Sequence, residues 1–272
     1  MTVAGRGLTV GIAGLGAIGL EVAGLLDRGV PGFRLVAVAS RDLAKARAAV
    51  SDLATPPEVV GVEDLVRADI VVEAAPAAAF RDIALPAVRA GRTLVACSGG
   101  ALMRNMDLVE EAERRGGRII VPTGALLGLD AVRAAAQGTI ASATIESRKP
   151  PRGWQGAPYV EANGIVLDGL AEPTLIFRGN ALDAAAGFPA NVNVAAALAM
   201  AGIGPDRTTV ELWADPTIGR NIHTIRVEAD SARFTMSVEG VPSPSNPRTG
   251  RLTPLSVIAC LRGLSDTLRI GS

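Results

Sequence analysis

Short apolar runs alternate with amphipathic segments over the first half of the chain. Five runs rich in β-branched residues predict buried strands, at 8–13, 33–38, 70–75, 93–97 and 118–121. The segments between them have helical spacing, as at 43–50, 78–90 and 103–115. Strands that alternate with helices are typical of a parallel sheet with crossover connections. We therefore expect residues 1–124 to form a Rossmann-type, doubly wound α/β domain.

The pattern changes from about residue 125. Apolar and polar residues alternate in four further segments, which predicts strands of a sheet with one solvated face at 139–147, 208–214, 222–227 and 233–238. An apolar helix is predicted at 192–201. We expect residues 125–251 to form a second α/β domain with a mixed sheet, for catalysis, substrate binding and dimerisation. An apolar C-terminal helix is predicted at 254–268; it needs a core to cover it, and the segment 252–272 is expected to pack back on the first domain.

A glycine-rich turn follows the first predicted strand. Gly14, Gly16 and Gly19 have the spacing GxGxxG, in which the first glycine makes a tight turn, the second admits a pyrophosphate and the third lets the helix pack closely. With 31 glycines in the chain the spacing alone is weak, but the strand before it and the helical pattern after it support a dinucleotide site. The residues expected to bind the pyrophosphate at the helix N-terminus are Gly14, Gly16, Ala17, Ile18 and Gly19.

The end of the second predicted strand bears on the choice of nucleotide. NAD-binding sites usually carry an acidic residue about 20 residues beyond the glycines, for the ribose 2′-hydroxyl. Here Ser40 and Arg41 offer a hydroxyl and a guanidinium, a pair suited to a 2′-phosphate, and Asp42 is expected to cap the next helix. This favours NADP and leaves NAD open, with a solvated Arg41 as the alternative. Ala75 and Pro76, at the end of the third strand, are further expected cofactor contacts.

Composition narrows the function classes. The 27 basic and 27 acidic residues balance, without a single-sign block that would suggest a nucleic-acid surface. No signal peptide and no apolar run long enough for a membrane span are recognisable, so we expect a cytoplasmic enzyme. A chain of 272 residues exceeds the usual size of one core and favours two domains.

Cysteine and histidine are scarce. Two cysteines and one histidine argue against a zinc site, and we expect no metal. Cys97 ends a predicted parallel strand, where a thiol nucleophile of an acyl-enzyme dehydrogenase is conceivable. Because no histidine lies near it in sequence, we interpret Cys97 as a small buried hydrophobe.

Six strings, most of them in the second half of the chain, carry a family resemblance. They are Val121–Asp130, Ser147–Pro151, Gly187–Ala196, Ala214–Pro216, Arg220–Ile225 and Pro242–Thr249. In that order they resemble the L-aspartate dehydrogenase family, and the resemblance runs from the glycine turn to the final helix. It implies an NAD(P)-dependent amino-acid dehydrogenase, usually a homodimer, that oxidises L-aspartate to iminoaspartate and can feed NAD biosynthesis.

The resemblance also implies roles for individual residues. The family's catalytic histidine falls on His223, and the alanine that lines its nicotinamide site falls on Ala125. The asparagine that contacts the cofactor falls within 191–193, where we favour Asn193. Leu127 replaces a glycine common in the family and adds bulk near that alanine.

The chemistry of amine oxidation points to the same histidine. Forming an imine removes a hydride from Cα and a proton from nitrogen, and histidine is the natural base for that proton. His223 is the only histidine, between Asn221 and Thr224, whose side chains we expect to orient the ring. The alternative is a structurally satisfied, chemically idle histidine.

A dicarboxylate substrate needs cations in place of water. Arg148 and Lys149 lead among the candidates because they adjoin a strand end, and Asn221 and Thr249 are further expected substrate contacts. Any of the cations is alternatively a solvated surface charge. Two other functions stay open: a non-catalytic NADP-binding sensor or paralogue, and a dehydrogenase of another small amino or imino acid.

Overall fold

The computed structural model describes residues 7–243 and 250–271. Thr249 and most of the proline-rich string before it lie outside these residues. The described residues divide into two compact units. The first unit contains the chain up to Ser98, Asn105–Pro122 and Thr253–Arg269, and the second contains Gly99–Arg104, Thr123–Leu252 and the end of the chain.

Strands and helices alternate along much of the described chain. The strands are β1 Leu8–Ala13, β2 Phe33–Ala39, β3 Glu58–Val60, β4 Ile70–Glu73, β5 Thr93–Ala96, β6 Arg118–Ile120, β7 Ile140–Lys149, β8 Thr174–Asn180, β9 Thr208–Ala214, β10 Asn221–Ala229 and β11 Arg233–Gly240. The helices are α1 Ala17–Asp27, α2 Leu43–Val50, α3 Phe80–Arg89, α4 Gly99–Met103, α5 Asp107–Arg114, α6 Leu129–Ala135, α7 Pro158–Ala162, α8 Ala181–Gly187, α9 Asn193–Ala201 and α10 Leu252–Arg262. Within these residues, no helix is long and apolar enough to cross a membrane.

The first unit is built on a parallel sheet. Its strand order is β3-β2-β1-β4-β5-β6, the order of a doubly wound dinucleotide-binding fold, which confirms the predicted fold class. The apolar runs are buried because helices pack on the sheet, and Val10, Ile12 and Val72 are fully enclosed. Helix α10 adds Val257 and Leu261 to this core.

The second unit carries a five-stranded mixed sheet, as predicted. Its order is β11-β10-β7-β9-β8, in which only β7 and β9 run parallel. Alternate residues of β7 are buried on the face that packs with α9, and this alternation continues through Ser147 to Lys149. Strand β7 therefore extends two residues beyond its predicted end, and Arg148 points to the opposite face from its two neighbours.

Several short elements were not predicted, namely β3, α4, α6, α7, β8 and α8, and the final helix was predicted too long. Strand β3 has three residues, too few to show a period. Helix α8 has seven residues, and its buried face consists of alanines alone, which give a weak periodic signal over so short a segment. In β8 a register shift between Leu175 and Phe177 breaks the alternation, so that successive residues are buried. Helix α10 ends at Arg262, just before Gly263, whereas the sequence predicted helix to residue 268.

Candidate functional site

The glycine turn joins β1 to α1 in the first unit. Gly14 has φ +91°, and a Cβ there would lie 2.6 Å from the carbonyl oxygen of Ala74. A Cβ on Gly19 would overlap the carbonyl oxygen of Gly14, so only glycine lets α1 approach the strand this closely. A Cβ on Gly16 would meet nothing within 4 Å. The backbone is therefore tightly packed on one side and open at the position where a pyrophosphate approaches in this type of turn.

The start of α1 suits an anion. The first turn contains Ala17, Ile18 and Gly19 and no acidic residue, and the N-cap, Gly16, has no side chain. The first N–H groups of a helix lack intrahelical partners and lie at the positive end of its dipole. The expected residues thus fit a dinucleotide pyrophosphate, judged by the packing of the turn and the uncapped helix start.

Ser40 and Arg41 lie next to this turn. Ala13 and Ala39 are register partners, and the N–H of Gly14 donates to the carbonyl of Ala39 at 2.8 Å, which brings the end of β2 beside the glycines. Ser40 is half-buried and Arg41 is exposed. As expected, the Asp42 carboxylate caps α2 by accepting from the Lys45 N–H at 3.0 Å.

A buried carboxyl group lies below the strand-end loops and was not recognised in the sequence. Glu73, the last residue of β4, is 0% exposed. Its Oε1 accepts from the Ala75 N–H at 3.0 Å and from the Ser98 hydroxyl at 2.9 Å, and its Oε2 accepts from the Ser98 N–H at 3.0 Å. Burial raises the pKa of Glu73 to about 7, against the opposing effect of these hydrogen bonds. An acidic residue inside an otherwise apolar strand was the signal available.

His223 is held by a residue from the neighbouring strand of the second unit. The ring is buried on β10, directly opposite Ser147 on β7, and its Nδ1 lies 2.9 Å from the Ser147 hydroxyl. Asn221 lies on the same face of β10, whereas the Thr224 hydroxyl lies on the other face, 2.9 Å from that of Ser237. The expectation that Thr224 orients the ring is therefore wrong, and strand alternation excludes that role.

Lys149 belongs to the same face as Ser147. Its side chain is buried, with Nζ donating to the Asn191 Oδ1 at 2.7 Å and lying 4.7 Å from the centre of the Trp154 ring. Burial first, and then the charge of Lys149, lower the pKa of His223 to about 3. The imidazole is therefore neutral at ordinary pH.

Arg148 is not brought together with His223. It lies on the opposite face of β7, where its Nε donates to Glu146 at 2.6 Å and its Nη1 donates to Asp215 at 3.4 Å. Its guanidinium carbon is also 4.8 Å from the centre of the Trp213 ring. Of the two leading cations, Lys149 is the one that shares a face with the histidine.

The remaining expected residues of the second unit lie in or beside helical segments. Asn193 begins α9, and its Oδ1 accepts from the Gly100 N–H at 3.1 Å, whereas Asn191 is the partner of Lys149. Ala125 is half-buried in the loop before α6, packed against the core of this unit. Among the first unit's expected residues, Ala75 and Pro76 follow β4 in the loop that Glu73 holds.

The two thiols are poor nucleophiles, and the described residues form no cluster of metal ligands. Burial raises the pKa of Cys97 well above its ordinary value and that of Cys260 to about 11, so neither is a ready nucleophile. Within residues 7–243 and 250–271, no three His, Cys, Asp or Glu side chains cluster as metal ligands do.

The fold and these sites define the class of protein. The first unit has a doubly wound sheet with a dinucleotide-type glycine turn, and the second has a buried neutral histidine beside a lysine. This combination is typical of a dehydrogenase that uses a pyridine nucleotide. Residues 14–122 match the model of the NAD-binding domain of homoserine dehydrogenase, and residues 130–264 match that of the aspartate dehydrogenase C-terminal domain.

Similar proteins specify the family. The chain is 55% identical to an L-aspartate dehydrogenase of Bradyrhizobium diazoefficiens over 97% of this chain and 94% of that one. It is 49% identical to L-aspartate dehydrogenase 3 of Bordetella bronchiseptica over 97% and 98% of the two chains. The chain belongs to the L-aspartate dehydrogenase family and is an NAD(P)-dependent amino-acid dehydrogenase.

A solved structure shares the fold. The crystal structure of aspartate dehydrogenase from Thermotoga maritima has a TM-score of 0.74 with this chain, at 23% identity, and the match covers 98% of this chain and 100% of that one.

Proposed function

We propose that the enzyme oxidises L-aspartate to iminoaspartate, with the first unit binding the pyridine nucleotide and the second binding the amino acid. The observation that carries the proposal is the cluster of buried His223, Ser147 and Lys149 with half-buried Asn191. It combines a neutral base with a cation on one sheet face, which is what removing a proton from an amino acid requires. The names of the relatives support aspartate as the substrate.

The bound nicotinamide supplies the hydride acceptor, and the protein supplies the base. Because Nδ1 of His223 is engaged by Ser147, the proton from the substrate amine goes to Nε2. Nε2 has a lone pair only in the tautomer that carries the ring proton on Nδ1, so the ring must donate to the Ser147 hydroxyl. We assign Ser147 the task of favouring this tautomer and orienting the ring.

Lys149 is proposed to hold a substrate carboxylate. Its ammonium lies between a neutral amide oxygen and an aromatic face, where an incoming carboxylate adds a charge-assisted hydrogen bond. The same carboxylate would offset the ammonium's effect on the histidine and so raise the pKa of His223 from its low value. Substrate binding thereby makes the base stronger.

The direct test is to mix the purified protein with NADP and L-aspartate at alkaline pH and to follow NADPH absorbance. Turnover with L-aspartate, and a far lower rate with L-alanine, is expected because L-alanine lacks the side-chain carboxylate and leaves the cation that binds this group without a partner. Enhanced fluorescence of added NADPH without any turnover would instead identify a nucleotide-binding protein that has lost the chemistry.

Four finer properties are proposed with this function: a preference for NADP, a cytoplasmic location, a homodimer and a contribution to NAD biosynthesis. Exposed Arg41 and neighbouring Ser40 support a preference for NADP over NAD. The family resemblance supports a cytoplasmic homodimer and a contribution to NAD biosynthesis. Light scattering on the purified protein tests the dimer, since a monomer mass at micromolar concentration would contradict it.

A further inference from the structure

Glu73 is a buried titratable group that the proposed reaction does not use. Three donors converge on its carboxylate: the Ala75 N–H, the Ser98 N–H and the Ser98 hydroxyl. Ala75 follows β4 and Ser98 follows β5, so one side chain joins the two loops at the carboxyl edge of the sheet. This is the edge at which doubly wound folds bind their nucleotides.

The loop that Glu73 holds lies against the glycine turn. The Ala74 N–H donates to the Ala13 carbonyl at 2.8 Å, and the Ala74 carbonyl oxygen lies only 2.6 Å from the position that a Cβ on Gly14 would take. A displacement of residues 74–75 would therefore change the packing of the turn that is proposed to bind the pyrophosphate.

We propose that Glu73 is a positioning residue that couples nucleotide binding to a proton, with the carboxylate form of Glu73 holding the loops in the geometry that binds the pyridine nucleotide. The inference rests on the nucleotide site assigned to the first unit under the proposed function. The bound dinucleotide and the ionised Glu73 then favour each other, so the affinity for nucleotide falls as Glu73 takes up a proton.

The geometry provides a second arrangement for the protonated form. The Ser98 Oγ lies 2.9 Å from Oε1 of Glu73 and 3.3 Å from the carbonyl oxygen of Ala75. When Oε1 carries a proton, it donates to the Ser98 hydroxyl, which turns to donate to the Ala75 carbonyl. The hydroxyl keeps its partners, but the Ala75 N–H then faces a neutral O–H group in place of a carboxylate and is held less firmly.

Few other charges act on Glu73. Strand β1 and the first turn of α1 carry no charged side chain. Cys97, which follows β5, is the titratable neighbour, and it is itself affected by Cys260 on α10. The charged residues of α3, Arg81, Asp82 and Arg89, are exposed. Both thiols have raised pKa values and stay neutral in the neutral range. A transition near pH 7 is therefore assigned to Glu73 itself.

The test measures the dissociation constant of NAD by calorimetry from about pH 5.5 to about 8.5. NAD is the probe because the 2′-phosphate of NADP titrates near pH 6, as phosphate monoesters do. The wild-type affinity should fall by about fivefold or more as the pH decreases through about 7. Glu73→Gln presents an amide donor to one of the N–H groups, so this variant should bind NAD weakly at every pH, and its NAD affinity should not change with pH through about 7.

Two further variants separate a proton effect from a merely structural one. Ser98→Ala removes a hydrogen bond that stabilises the ionised form, so the midpoint of the affinity profile should move to higher pH. This variant keeps the Glu73 carboxylate, so it provides the test of the proton effect if Glu73→Gln fails to fold. Glu111→Gln removes another buried carboxylate of the first unit, which pairs with Arg114 on α5, and should leave the midpoint unchanged.

The outcomes are distinct. Wild-type protein that binds NAD equally well across this range, or Glu73→Gln with the wild-type profile, overturns the role of Glu73 and leaves the nucleotide site standing. An unchanged midpoint in Ser98→Ala also contradicts the proposal. Failure of the wild-type protein to bind either NAD or NADP at any pH would overturn the assigned nucleotide site itself.

Discussion

At the residue scale, His223 and Lys149 depend on partners that are remote in sequence. The ring is held by Ser147, 76 positions earlier, and the ammonium by Asn191, 42 positions later. The burial of both groups follows from the register of β7 with β10, which puts Ser147 directly opposite His223. Substitutions on the two faces of these strands should therefore have very different effects.

Replacing His223 by alanine removes the proposed base. We expect His223→Ala to lower kcat by about 10² to 10⁴, with nucleotide affinity nearly unchanged. Thr224→Ala is the matched control, because its hydroxyl pairs with Ser237 on the other face, and near-normal kcat is expected. Steady-state kinetics with L-aspartate decide the matter, and equal kcat values for both variants would exclude His223 as the base.

Ser147→Ala should leave the base in place but misorient it. We expect kcat to fall by about tenfold or more, and the pH profile of kcat to change, because the tautomer with the lone pair on Nε2 is no longer favoured. Ser147→Thr keeps a hydroxyl and should restore most of the rate. A threonine variant no better than the alanine variant would show that space, and not the hydrogen bond, matters here.

Adjacent Lys149 and Arg148 provide a second comparison across one strand. Lys149→Gln should raise KM for L-aspartate by about 10- to 150-fold, the equivalent of a lost hydrogen bond between charged groups of about 1.5–3 kcal/mol. Arg148→Gln should chiefly lower stability, since Arg148 pairs with Glu146 and Asp215. A larger KM effect from Arg148→Gln, measured beside the melting temperature, would transfer the role to Arg148.

At the element scale, the features that the sequence could predict are those set by local pattern, and the features that it could not predict are those set by tertiary pairing. The apolar strands of the first unit and the glycine turn follow from residues close together in the chain, and both were predictable. The pairing of Ser147 with His223 depends on strand order, which no local pattern contains. The role given to Thr224 was wrong because only alternation along β10, and not nearness in sequence, decides which side chains share a face.

The segment between β2 and α2 bears on nucleotide choice. Arg41→Ala should raise KM for NADP much more than KM for NAD, because a charge-assisted contact to the 2′-phosphate contributes about 1.5–3 kcal/mol. Arg47→Ala, an exposed change later in α2, is the control. Kinetics with both nucleotides provide the measurement, and parallel changes in the two KM values would mean that Arg41 does not contact the phosphate.

At the scale of the whole molecule, Glu73 should make stability depend on pH. Its pKa is about 7 in the folded protein, against an ordinary value of 4.5 for a solvated glutamate, so the folded state holds the proton to higher pH and stability decreases as pH rises from about 4.5 to about 7. At pH 8 the ionised group costs about 3 kcal/mol relative to acid conditions, at 1.36 kcal/mol per unit. As pH rises, the melting temperature of nucleotide-free wild type should therefore decrease relative to that of Glu73→Gln. A constant difference between the two melting temperatures would contradict this.

The position of α10 has a consequence for synthesis. Val257 and Leu261 pack with Val10 and Ile12, residues from nearly opposite ends of the sequence. The ribosome releases β1 to β6 long before α10, at about 5–20 residues per second, while Thr123–Leu252 forms an almost continuous unit that can close first. The apolar surface that α10 covers in the first unit is therefore exposed until α10 has been synthesised, and chaperones can bind this surface during that interval.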